Sequence, residues 1–178
     1  MIIDGFLAFS TPAAPDNLAL GTGTYNSNNV IDLGLYGLPL SAAGGGARDI
    51  GIGDDPAMKL FVDVMAAFTS GGAGTLQVIL QGAPDSGTGT PGTWYTMLAS
   101  QAIALSALVQ GAHLLDVDVP RPPPNQPVPR YLRMQYTIGG AAMTAGQVAS
   151  QIVLDRFDQI NGPTGSLSGY PPGIAISN

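Results

Sequence analysis

The chain has 178 residues, no cysteine and a formal net charge of −6. Only 10% of its residues are charged, against an average of about 25%, while 45% are hydrophobic and Gly and Pro number 25 and 15. This excludes thiolate metal sites and thiol nucleophiles. It argues against nucleic acid, which needs a basic face, and predicts one domain with a real core under a surface that neighbours cover.

The predicted elements are short strands. Met1–Asp4 carries an acid and no basic flank, unlike a signal peptide. Ile2 to Phe9 is the first strand, and Ser10 to Asn28 reads as a polar loop. Asn29 to Leu33 is a short second strand. Gly37 to Asp55 is a loop around Gly44–Gly46. Met58 to Val64 alternates with Met58, Leu60, Val62 and Val64 on one face, and Thr75 to Gln81 does so with Leu76, Val78 and Leu80. Trp94 to Leu98 is the fifth strand. Ala102 to Gln110 has room for one helical turn, with Ser106 as cap and Gly111 as stop. His113 to Val119 is the sixth strand, its Asp116 and Asp118 outside.

Pro120 to Pro129 favours polyproline II, because proline fixes φ and removes a donor. Leu132, Met134, Tyr136 and Ile138 then alternate with Arg133, Gln135 and Thr137. Gly139-Gly140 and Thr144–Gly146 break the chain. A last strand follows, with Val148, Ile152 and Leu154 on one side and Gln151 and Asp155 among the residues opposite. About eight antiparallel strands with turns between them predict an all-β, jelly-roll-like β-sandwich. Residues 1–156 form that domain, and the Gly-, Pro- and Ser-rich segment 157–178 reads as an extended arm. No apolar stretch is long enough to span a bilayer.

Chemistry is sparse. Gly87–Gly92 fits the letters of a GxGxxG loop, but Trp94-Tyr95-Thr96 follows where a phosphate loop needs a helix, so it reads as a hairpin loop. His113 is the single histidine, and no serine beside it stands out as a nucleophile. Asp49, Asp54 and Asp55 lack the spacing of a calcium loop and read as a solvated turn. Trp94 and Tyr95 should point to opposite faces, one toward the core, and the other is the candidate sugar platform. The PxxP spacing within 120–127 reads as a stiff loop rather than a recognition motif. These readings predict no enzyme, no cofactor and no metal site.

Several segments, in order, carry a resemblance: Asn29–Gly34 (NVIDLG), Arg48–Gly53 (RDIGIG), the strands at 58–64 and 75–81, Ile103–Gly111 (IALSALVQG), and Pro129–Tyr136 (PRYLRMQY) running on to Leu154-Asp155. Together they resemble the capsid cement proteins of tailed bacteriophages, of the kind described for a Bordetella podovirus, over residues 1 to 155. The resemblance implies a jelly roll without catalysis. It implies a protein made in the host cytoplasm and seated on the outside of the phage head, across joints between capsomers of the major capsid protein. The implied state is a small homo-oligomer, a dimer ahead of a trimer, with no nucleic-acid or membrane partner. Candidate contact residues are Met1, Asp4, Arg48, Arg130, Arg133, Phe157, Tyr170 and Ile174. Arg130 and Arg133 lie an odd number of residues apart, so in a regular strand only one can point inward, and that one needs an acid. The alternative function is a carbohydrate-binding β-sandwich on a virion or cell surface, stacking sugars on Trp94 or Tyr95.

Overall fold

A computed structural model describes residues 2–34 and 58–154. These form eleven strands: β1 (Ile2–Ser10), β2 (Asp16–Asn17), β3 (Gly23–Asn26), β4 (Ile31–Asp32), β5 (Met58–Ser70), β6 (Thr75–Ala83), β7 (Tyr95–Ala99), β8 (Ile103–Ala104), β9 (His113–Asp118), β10 (Tyr131–Gly139) and β11 (Met143–Leu154). Sheet I runs β1-β11-β5-β9, with β2 also on β11; sheet II runs β3-β10-β6-β7, with β4 on β10 and β8 on β6. Every pairing is antiparallel.

Counted in chain order without the three two-residue strands, the sheets read 1-8-3-6 and 2-7-4-5. That is the order of a jelly roll, in which successive strands alternate between two layers except where strands 4 and 5 pair within one. The all-β sandwich expected from the alternation is therefore the fold. The second long strand is β3, however, inside the segment read as a loop. Its sequence, Gly-Thr-Tyr-Asn, has one apolar residue and no period to detect. The last two strands, β10 and β11, are consecutive but lie in opposite sheets.

The core lies between the layers. Leu60, Val62, Leu76, Val78, Leu80, Leu132, Met134 and Ile152 have no exposed surface. Each such side chain contributes roughly 1.5–3 kcal/mol of hydrophobic stabilisation. The predicted faces of β5, β6 and β10 are those found buried.

Three local expectations are corrected. Thr144–Gly146 does not break the chain but lies inside β11, where register shifts against β5 absorb the irregularity. The helical turn is a three-residue 3-10 turn at Leu105–Ala107, with Ser106 inside it and Ala104 as an uncapped start, because β8 occupies the preceding residues. The proline run is not one continuous polyproline helix. The Gln126 amide bonds the Pro123 carbonyl at 3.1 Å, and Asn125 takes a positive φ of 69°. A β-turn over Pro123–Gln126, with Pro124 and Asn125 at its centre, therefore folds the run on itself. Asp49, Asp54, Asp55, Arg48, Met1 and the arm at 157–178, with Phe157, Tyr170 and Ile174, lie outside the described residues.

Candidate interaction surface

The polar side chains fall into an interior cluster, a rim, an open face and an edge. The interior cluster joins the layers. Tyr136 on β10 is fully buried among core residues, and its hydroxyl donates to Asp16 Oδ2 on β2 at 2.7 Å. It also meets Ser150 Oγ on β11 at 2.9 Å, and Ser150 Oγ meets Ser10 Oγ on β1 at 3.1 Å. The Asn28 amide donates to Asp16 Oδ1 at 2.7 Å. Burial pushes the Asp16 carboxyl above its usual range, against the lowering effect of these donors. Burial and the neighbouring Asp16 charge hold the Tyr136 hydroxyl far above its own. Every member binds another member of the fold, so the cluster is a fastener between sheets.

The rim is held by Arg130, just before β10. Its Nε donates to Asp32 Oδ1 at 2.9 Å and one terminal nitrogen to Asp32 Oδ2 at 3.0 Å, a two-pronged pair. The other terminal nitrogen bonds Asp85 Oδ2. Asp85 Oδ1 accepts the amides of Gly87 and Gly89 at 2.9 and 3.0 Å. The Arg130 bond lowers the Asp32 carboxyl, and the Gly87 amide leads the lowering at Asp85. The Gly87–Gly92 segment is thus the loop joining β6 to β7, wound around an aspartate rather than a phosphate, as its sequence context predicted.

The open face belongs to sheet II. Alternate residues of β10 and β6 point away from the core, and their ends form a ladder. Asn26 Oδ1 accepts from Gln135 Nε2 at 3.3 Å, Gln135 Oε1 from Gln81 Nε2 at 3.1 Å, and Gln81 Oε1 from Arg133 Nε at 2.8 Å. The Arg133 guanidinium lies over the Trp94 ring, 4.1 Å from its centroid. Among the described residues Arg133 has no carboxylate partner, and desolvation lowers its pKa. Neighbouring Thr24 and Thr137 extend the uncharged polar surface, their hydroxyls 3.4 Å apart.

The edge of sheet I is β9. Asp118 pairs with Lys59, and His113 Nδ1 pairs with Asp63 and tilts against Phe61, ring centroids 5.1 Å apart. His113 opens its strand, as expected, and its acid partner is Asp63 on β5 rather than the nearby Asp116.

A family profile named Bbp16 matches residues 18–152, well over half of the chain. The chain belongs to the Bbp16 family. This is a family of Bordetella phage proteins, so the phage origin that the sequence resemblance implied stands. A search of curated proteins finds no match. The Bbp16 match runs from the end of the interior cluster's Asp16 strand almost to the end of β11, and so takes in the rim and the open face.

Of the contact residues singled out from the sequence, Arg130 and Arg133 are described with side chains, and Asp4 is placed on β1. The two arginines are not brought together. Arg130 found its acids at the rim, ahead of the regular strand where the odd-spacing rule applies. Arg133 faces outward. Trp94 lies on the outer face under Arg133. Tyr95 packs against the core, as expected of one of the pair, and its hydroxyl donates to the Pro127 carbonyl at 2.6 Å. That bond ties the proline loop to β7, and burial raises the hydroxyl's pKa to about 12. Sequence reading missed Asp16, Asp32, Asp85 and Ser150. Ser150 had a signal, since it falls in the apolar phase between Val148 and Ile152. Asp16 and Asp32 had none, because β2 and β4 are two residues each.

Proposed function

We propose that this chain is a structural protein of a phage virion. It sits on the outer surface of the head and reinforces the shell of major capsid protein across capsomer joints. The observation that carries this reading is the Bbp16 match spread over seven of the eight principal strands of the jelly roll. The disposition of polar groups supports it. Asp16, Asp32, Asp85, Asp63 and Asp118 each tie one part of the fold to another. A scaffold that must hold its shape under load is served by such cross-ties, and we read the protein as non-catalytic. Repeated by symmetry, modest contacts give avidity, so a small homo-oligomer, a dimer ahead of a trimer, suits the role. Made in the host cytoplasm, the protein would end on the virion exterior. The sugar-binding alternative gains nothing from the aromatic pair, since Arg133 occupies one face of Trp94 and the Tyr95 hydroxyl is spent on Pro127.

The test is co-sedimentation with expanded heads of its own phage stripped of this protein, using the full chain and a form lacking residues 157–178. Saturable binding at a fixed ratio to the major capsid protein is the expected result. Absence of binding by the full chain overturns the reading, and a glycan array then decides on the sugar-binding sandwich.

A further inference from the structure

Cations are scarce in this chain, with six Lys and Arg against twelve Asp. In such a chain each cation should find an acid, and two described ones do: Lys59 meets Asp118, and Arg130 meets Asp32 and Asp85. Arg133 is different. It is half-buried on the open face of sheet II, and its contacts are Gln81 at Nε and the Trp94 ring below. Its terminal nitrogens have no acceptor among the described residues.

The Arg133 arrangement holds the guanidinium still. The ring fixes its plane, and Gln81 fixes its rotation within that plane. Gln81 is in turn fixed by Gln135, and Gln135 by Asn26. A planar fork with its entropy already lost matches a carboxylate in two-pronged geometry. Arg and Trp are also the residue types that dominate binding energy at protein interfaces. Leaving such a cation partly desolvated without an acid costs stability, and an incoming carboxylate repays it.

We propose that the Arg133–Trp94 pair is the docking point for an aspartate or glutamate side chain of a different protein. On the cement reading, on which this inference rests, that protein is the major capsid protein. A second copy of this chain is the poorer occupant. The six aspartates whose side chains are described are already engaged: Asp16 by Tyr136, Asp32 and Asp85 by Arg130, Asp63 by His113, Asp118 by Lys59, and Asp116 by a contact of its own.

The experiment is binding to stripped heads by the full chain and by its R133A and R133K variants, at several salt concentrations, with thermal unfolding of each. R133A should lose roughly 10- to 100-fold in affinity, the worth of hydrogen bonds to a charged group. R133K should regain little, because an ammonium cannot fork. The fall of affinity with salt should be shallower in R133A, which loses the charge, a readout that a merely structural role would not move. Their unfolding midpoints should stay near that of the parent. Equal affinity and equal salt dependence of parent and R133A overturns the docking point and leaves the cement reading standing. Should R133A fail to fold, R133K carries the test by affinity: binding equal to that of the parent overturns the forked docking point. Failure of the parent to bind heads overturns both, and binding of the parent to acidic glycans instead would transfer Arg133 to a sugar carboxylate.

Discussion

Sheets I and II are made of similar strands and differ in regularity. In sheet II, β10 and β6 pair over Tyr131–Gly139 without a register shift. In sheet I, β11 meets β5 through three shifts between Met143 and Val148, and meets β1 through two more. The consequence shows in burial. β10 alternates between buried and half-buried residues, whereas β11 is buried at every residue from Val148 to Val153. An unshifted ladder keeps one entire face of one character, so its polar groups can line up. Bulges bend a strand and re-aim its side chains, and a strand buried on both sides has no face left to offer. Sheet I therefore sets the shape, and the open polar face lies on sheet II.

The sharpest way to break this contrast is at one glycine in each strand, Gly146 within β11 and Gly139 at the end of β10. Gly146 in β11 has a φ of +146°, and a Cβ there would stand 2.2 Å from Phe68 Cδ1. Gly146→Ala should cost about 3 kcal/mol from backbone strain and overpacking, a fall of roughly 6–12 °C in thermal midpoint for a chain of this size. On β10 a Cβ at Gly139 would meet only the Thr75 hydroxyl, at 3.0 Å, and a rotating side chain can yield. Gly139→Ala should move the midpoint far less. Circular dichroism melts of the two variants compare the sheets directly, and similar falls would remove the distinction.

Next in size is the fastener between the sheets. Tyr136→Phe deletes the hydroxyl that reaches Asp16 and Ser150 and leaves a buried carboxylate short of a donor. The expected loss is about 1–3 kcal/mol by urea unfolding. A change near zero would mean that the layers are held by apolar packing alone.

The same contrast explains what the sequence made legible. Period-two alternation survives in β10 and β6, so Leu132, Met134, Leu76 and Val78 were placed correctly, and Arg133 and Gln135 with them on the opposite face. β3 carries one apolar residue and draws its stability from nine-residue β10 beside it, which is tertiary information. Gln151 was placed on the face away from the core, and it is there, yet only 3% exposed. Periodicity reports which side a residue faces, not whether that side is covered. The rim escaped notice because Arg130 and Asp32 lie 98 residues apart. A lone arginine before a strand says that an acid is needed, but not which one the fold delivers.

Acid should separate the two kinds of aspartate. Asp16 has a folded pKa raised above 3.8 by burial. Its ionised form is therefore penalised by folding, and its contribution improves as pH falls through the raised value toward 3.8. Asp32 and Asp85 have folded values lowered below 3.8, chiefly by the Arg130 and Gly87 bonds respectively. Their contribution is complete above 3.8 and is lost as pH falls through the lowered values. Urea midpoints against pH should show Asp16→Asn lacking the gain on mild acidification, and Arg130→Ala lacking part of the loss in strong acid. The Arg130 effect is the smaller, because Asp32 is half exposed and solvent screens the pair. Parallel profiles for parent and both variants would refute the assignment.

The smallest effect on stability should come from the middle of the ladder. Gln135→Ala removes a side chain that touches only Asn26 and Gln81 through hydrogen bonds, and its stability change should stay within roughly 0.5 kcal/mol. Its effect on docking should be disproportionate. Without Gln135, Gln81 loses the acceptor that orients its amide, and Arg133 loses a fixed partner in turn. The guanidinium must then be ordered at the moment of contact, which costs affinity without altering any contact made. Binding to stripped heads should therefore fall by less than in R133A but measurably, while the melt is unchanged. A ladder that only closed off polar groups would show neither change. A ladder that supported the fold would show the melt moving first.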